Sequence, residues 1–206
     1  MQLNRFVAAL VVTLATGFVL AGQAPGASTA PHVPVSSKDR IYLSDQFSNT
    51  VSVVDPSTAK PIGVIKLGEQ TPANLSPLYK GQLLVHGMGF SPDNQYGHVC
   101  SSFSPETVVV SIKTPQVVGR VPEPSPFCPD IAATPDGTQV WQTLQDIGKT
   151  QAFNAKPPFK AIAVLDTGPI TNHVNIVRTP QGQFAYVTVG CVNEVKVFTT
   201  DDPPGW

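Results

Sequence analysis

Phe90-Ser91-Pro92-Asp93-Asn94 returns as Ala133-Thr134-Pro135-Asp136-Gly137, and again as Arg178-Thr179-Pro180-Gln181-Gly182. The prolines stand 43 and then 45 residues apart. Each copy reads as a turn, in which Pro pre-sets φ and Gly is free to take positive φ. A fixed period of about 40–45 residues marks stacked β units such as propeller blades.

Strands can be read outward from each turn. Around the last one, 173–177 alternates, 184–189 follows the turn, and 194–198 alternates after a second turn at 190–193. The first copy lacks the Pro turn but keeps strands at 40–44, 49–55 and 62–68. An offset of 144 superposes Tyr42 on Tyr186, Asn49 on Asn193 and Val51 on Val195. One middle copy gives four strands, at 85–90, 96–101, 108–112 and 116–121. The other gives 131–134, 139–144 and 161–166, with its fourth strand weak or missing. Two Pro-bearing stretches, 69–82 and 145–160, stand outside the pattern and are expected to be functional loops or insertions. The expected fold is all-β: four-stranded antiparallel meanders as β-propeller blades, in units of about 40–68, 85–121, 129–166 and 173–199.

These residues resemble a known family. Ile41-Tyr42-Leu43-Ser44-Asp45 with Asn49-Thr50-Val51-Ser52-Val53-Val54-Asp55, and Ala185-Tyr186-Val187-Thr188-Val189, look like the YVTN-type β-propeller repeat. His86-Gly87-Met88-Gly89-Phe90-Ser91-Pro92-Asp93-Asn94 is similar to its closing segment. The resemblance covers about residues 40–200 and specifies architecture rather than activity. It implies a ring that commonly closes with seven blades. The strands count to about 14, or three and a half blades, so 40–206 reads as a partial propeller. Truncation is the expected cause; assembly with other copies or an open stack is the alternative. An open stack exposes blade faces and unpaired edges, which invites self-association.

The N-terminus is a separate object. Arg5 is the only charge in the first 37 residues, and 6–21 is apolar apart from Thr13, Thr16 and Gly17. A basic start, an apolar run and small residues at Ala21, Gly22 and Ala24 read as a secretory signal peptide over 1–24. The run is short for a bilayer core of about 30 Å, so no stable span is expected after cleavage. Residues 25–39 read as a flexible Pro/Ala/Ser linker. The expected location is periplasmic or secreted. There Cys100, Cys128 and Cys191 allow one disulfide, whose pairing spacing cannot assign. A formal net charge of −1 with 13% charged residues gives no electrostatic footprint for nucleic acid.

His86, Cys128 and His173 precede their repeat prolines by 6, 7 and 7 residues. The inner strand of each blade starts near the channel, so the three are expected to ring one mouth. Imidazole and thiolate suit a transition metal, and the resemblance implies that some related propellers hold copper or haem at such a mouth. The alternative is that these side chains bond backbone groups of neighbouring blades and fix the channel. Asp130 and Asn172, near the same mouth, suit a polar ligand, making His86, Asp130, Asn172 and His173 the candidate ligand-binding set. His98 reads as a packed or half-exposed strand residue. No Gly-x-Ser-x-Gly elbow, Gly-x-Gly-x-x-Gly or Walker loop is present, and the carboxylates sit mostly in turns.

The expected function is therefore an exported binding or scaffold module for a protein or small-molecule ligand. It has no catalytic signature, and no cofactor is predicted, a transition metal at the His86/Cys128/His173 ring being the possible one. The alternatives are a metal- or haem-dependent redox or lactonase-like propeller, or a truncated non-functional remnant.

Overall fold

The computed structural model describes residues 34–45, 49–67, 84–102 and 105–201. The signal peptide, most of the linker and the 69–82 stretch lie outside them. The described residues from Ser37 onward form one compact unit.

The described residues form fourteen strands and no helix. The first sheet, blade 1, holds β1 (Ile41–Asp45), β2 (Thr50–Asp55) and β3 (Lys60–Lys66). Blade 2 holds β4 (Leu84–Phe90), β5 (Tyr96–Ser102), β6 (Glu106–Ser111) and β7 (Gln116–Pro122). Blade 3 holds β8 (Ile131–Ala133), β9 (Gln139–Leu144), β10 (Lys149–Asn154) and β11 (Ala161–Asp166). Blade 4 holds β12 (Thr171–Thr179), β13 (Gly182–Val189) and β14 (Glu194–Thr199). Each is an antiparallel meander in sequence order, so every connection is a hairpin. Blades 2 and 3 have four strands, and blades 1 and 4 have three.

The 145–160 stretch is not a loop outside the pattern: its centre is β10, the third strand of blade 3 and the one that completes its four. Thr150, Gln151, Ala152 and Phe153 are all buried, because β10 lies inside its sheet with blades on both faces. A strand covered on both sides shows no polar/apolar alternation, so its sequence lacks the period-2 signal.

Inner strands β4, β8 and β12 lie side by side, and the blades fan outward from them. Three apolar layers glue the fan. Val51, Val53 and Ile65 of blade 1 meet Val85, Val99 and Val108 of blade 2. Val109 and Val121 of blade 2 meet Val140 and Phe153 of blade 3. Trp141 and Leu165 of blade 3 meet Val174, Ala185 and Val187 of blade 4. The repeated Pro turns close the β4–β5 and β8–β9 hairpins. Ser91 and Thr134 hydroxyls bond Asp93 and Asp136 at 2.6 Å, and the same carboxylates accept the amides of Gln95 and Thr138. Those bonds hold both carboxyls below the usual carboxylate range, against the desolvation that partly opposes them.

Candidate functional site at the inner-strand mouth

The residues that enter the mouth are set by backbone irregularities. β4 and β5 pair at Val85–Ser101 and next at Met88–Val99, so His86 and Gly87 together oppose Cys100. β12 and β13 pair at Thr171–Val189 and next at Val174–Val187, so Asn172 and His173 oppose Thr188. In blade 3, Gln145 donates to the Phe127 carbonyl and Thr143 to the Asp130 carbonyl, leaving Cys128 and Pro129 opposite Leu144. A bulge puts two residues against one and re-aims their side chains. All three blades place it at the entry of the inner strand.

Register also corrects the level at which these residues stand. Counting from the prolines aligns His86, Cys128 and His173. Pairing aligns His86 with Cys128 and Asn172, and His173 with Gly87 and Pro129. The difference arises because the β12–β13 hairpin is tighter, closing at Thr179–Gly182.

Cys128 is not a metal ligand. Its sulfur is bonded to that of Cys100 in β5, a disulfide that staples blade 2 to the entry of blade 3. Cys191 is the free cysteine and is exposed at the β13–β14 turn.

The remaining candidates converge on two consecutive residues, Pro129 and Asp130. His86 Nδ1 lies 3.1 Å from the Pro129 carbonyl oxygen. A carbonyl only accepts, so Nδ1 carries a proton, and in the neutral ring the lone pair is on Nε2. Asp130 Oδ2 accepts the Val174 amide at 2.9 Å and stands 3.4 Å from His173 Nδ1. Thr143 Oγ1 lies 2.5 Å from the Asn172 carbonyl and 3.2 Å from that of Asp130. Blades 2, 3 and 4 are thus linked in series by mouth residues. Both imidazoles are exposed; His86 is hydrogen-bonded through Nδ1 to Pro129, and His173 Nδ1 lies within ion-pair range of Asp130. Among the described residues no group of three or more His, Cys, Asp or Glu side chains is placed to hold a metal ion.

Glycine makes this approach possible. A Cβ on Gly87 would sit 2.7 Å from Cys100 Sγ and 3.3 Å from the Pro129 oxygen; on Gly89 it would sit 2.7 Å from the Ile131 oxygen.

Two buried groups escape sequence reasoning. His98, in β5, is fully buried against Phe153 and Phe159, with ring centroids 5.7 and 6.5 Å away. Neither ring nitrogen has a partner, and burial pulls its pKa from the ordinary 6.5 to about 4.

The second is Glu123, buried between blades 2 and 3. Gln151 Nε2 donates to the Pro122 carbonyl at 3.1 Å, which turns its Oε1 toward Gln142 Nε2 at 3.3 Å. Gln142 Oε1 faces Thr107 Oγ1 at 2.5 Å, and the same hydroxyl reaches Glu123 Oε1 at 2.6 Å, so its single proton serves two acceptors. Burial, with a smaller push from Glu106 and Asp146, raises its pKa to about 8, against the pull of Thr107 and Gln142. The sequence signal is the run of polar residues Gln142-Thr143 facing Thr150-Gln151 across one hairpin.

No family model matches the chain, and no curated protein matches it. Solved structures do share its fold. Hydrazine synthase of Kuenenia stuttgartiensis superposes with a TM-score of 0.62 at 18% identity, over 87% of this chain and 50% of that one. A functionally unknown protein from Desulfotomaculum acetoxidans DSM 771 gives 0.60 at 16% identity, over 84% of this chain and 52% of that one. The Dos1 propeller gives 0.54 at 15% identity, over 76% of this chain and 38% of that one. The chain thus spans about half the length of the first two and less of the third. At these identities the likeness is one of fold: this chain is built of β-propeller blades, and its blade count is that of an incomplete ring.

Proposed function

We propose that this chain is an exported propeller module that binds a polar ligand at the inner-strand mouth. One observation carries the reading: the Pro129–Asp130 dipeptide meets two imidazoles from neighbouring blades at Nδ1, His86 by a hydrogen bond and His173 within ion-pair range, while both rings stay exposed. Asp130 and Asn172 complete a preorganised polar surface, which lowers the ordering cost of binding. The pairing of Tyr42 and Asn49 with Tyr186 and Asn193 supports assigning the blades to the YVTN-type repeat. The Cys100–Cys128 disulfide supports export, since such bonds persist in oxidising compartments.

Imidazole NMR of the protein tests the reading, with a panel of neutral oligosaccharides and short peptides as probes. A binder that shifts the His86 and His173 Nε2 resonances, and loses affinity at least tenfold in His86→Ala/His173→Ala, is the expected result. Binders whose shifts all fall away from the mouth refute it.

A metal at the same mouth is the second reading, favoured by the Nδ1 anchoring. Metal-ligating histidines commonly donate their other N–H to a carbonyl or carboxylate, as His86 does to Pro129. With Cys128 in a disulfide, His86 and His173 are the ligands left. Calorimetric titration with Cu²⁺ or Zn²⁺ decides: one equivalent bound, and none in the double variant, supports it, whereas identical heats from both proteins exclude it.

A further inference from the structure

Blades 1 and 4 share one register. Tyr42 pairs with Val53 as Tyr186 pairs with Val197, and Ser44 with Val51 as Thr188 with Val195. Their burial is inverted. Val51 and Val53 are buried under blade 2, while their counterparts Val195 and Val197 are 56% and 51% exposed. Ala185 and Val187 are fully buried against blade 3, while their counterparts Ile41 and Leu43 are 44% and 49% exposed. Each open face therefore carries apolar residues at positions that a neighbouring blade covers elsewhere in this chain. Among the described strands β1 also ends its sheet without an inner partner, and β14 ends its sheet without an outer one.

We propose that these two faces close on a second copy of this chain, blade 4 of each copy packing on blade 1 of the other. The occupant is argued from continuity. The Val195–Val197 face repeats the blade 1 face that blade 2 covers, and the Ile41–Leu43 face repeats the blade 4 face that covers blade 3. The junction thus reproduces the blade-on-blade contact already made three times within the chain. Such a head-to-tail contact gives a ring if it closes and a filament if it does not. Two copies contribute eight sheets, four of them three-stranded, at the upper end of the usual range of about four to eight blades; three copies would exceed it. The second copy also brings its own β4, β8 and β12 to the mouth. This assembly is independent of which ligand the mouth binds.

Light scattering on the full chain after size exclusion, with reductant present, tests it. The expected mass is twice 21.8 kDa. Val197→Lys and Leu43→Glu, each at a site exposed in the single chain, should each run as a single copy with an unchanged circular dichroism spectrum. Mixing the two should restore a mass of two copies, because one junction gains a Lys–Glu pair and the other is wild type. A wild-type protein that stays single-chain and unfolds cooperatively overturns the proposal. So does a dimer that neither substitution affects, one that dissociates on reduction of a Cys191 link, or a mass that grows without limit.

Discussion

His98 and Glu123 give the blade 2–blade 3 interface opposed pH responses. His98 has an ordinary pKa of 6.5 and one of about 4 when folded, so the unfolded chain binds more protons between those values. Stability is complete above 6.5 and falls as pH drops toward 4, by about 1.4 kcal/mol per unit. Glu123 is raised from 4.5 to about 8, so the folded chain binds more protons there. Its contribution is complete below 4.5 and falls as pH rises toward 8, with a similar slope of about 1.4 kcal/mol per unit. Between 4.5 and 6.5 the two slopes cancel. Urea midpoints measured across this range should be nearly flat for the wild type. His98→Phe should fall from pH 4.5 upward, and Glu123→Gln should rise from pH 4 to 6.5. Variant curves parallel to the wild type would show that neither group stays neutral inside the fold. Neither response is legible in the sequence: a strand histidine in Tyr96–Ser101 reads as packed or half-exposed, and a glutamate between two prolines reads as a surface residue until a second blade covers it.

At the scale of elements, the close approach of β4 to β8 rests on absent side chains. Gly89→Ala would drive a Cβ to 2.7 Å from the Ile131 carbonyl oxygen, a backbone atom that cannot rotate away. The expected cost is about 1–3 kcal/mol, as for other overpacked sites. Gly63→Ala in β3 is the control: its Cβ would meet nothing within 4 Å, and the expected change is within about 0.5 kcal/mol. Chemical denaturation of both variants checks the contrast, and equal costs would mean that β4 and β8 are not in contact. Hairpins such as β13–β14 were readable because one face alternates apolar residues and their turns carry Pro, Gly and Asn. Asn193 sits at φ 55° and its counterpart Asn49 at φ 39°, the left-handed region that Asn tolerates. β10 was unreadable because burial on both faces erases alternation.

Across the whole molecule, each blade packs only on its neighbours, so stability is a sum of blade and interface terms. Trp141 is fully buried between blades 3 and 4, its Nε1 donating to Gln139 Oε1 at 2.8 Å. Trp141→Ala should cost about 3–5 kcal/mol. Hydrogen exchange should show β12–β14 losing more protection than β4–β7, because only the 3–4 interface is cut. Uniform loss in all four blades would mean that the fan unfolds as a single unit and would refute nearest-neighbour packing.

The repeated Pro turns and period-2 runs, by themselves, determined the blades, their order and most strand positions, because a hairpin is written in local chemistry. Tertiary structure alone decided which cysteines pair, that Cys128 is withheld from any metal, and that Asn172 rather than His173 stands level with His86. It also decided that His98 and Glu123 are buried and neutral. Those outcomes depend on bulges that shift register by one residue and on blades some forty residues apart in sequence. No local pattern encodes a distance between them.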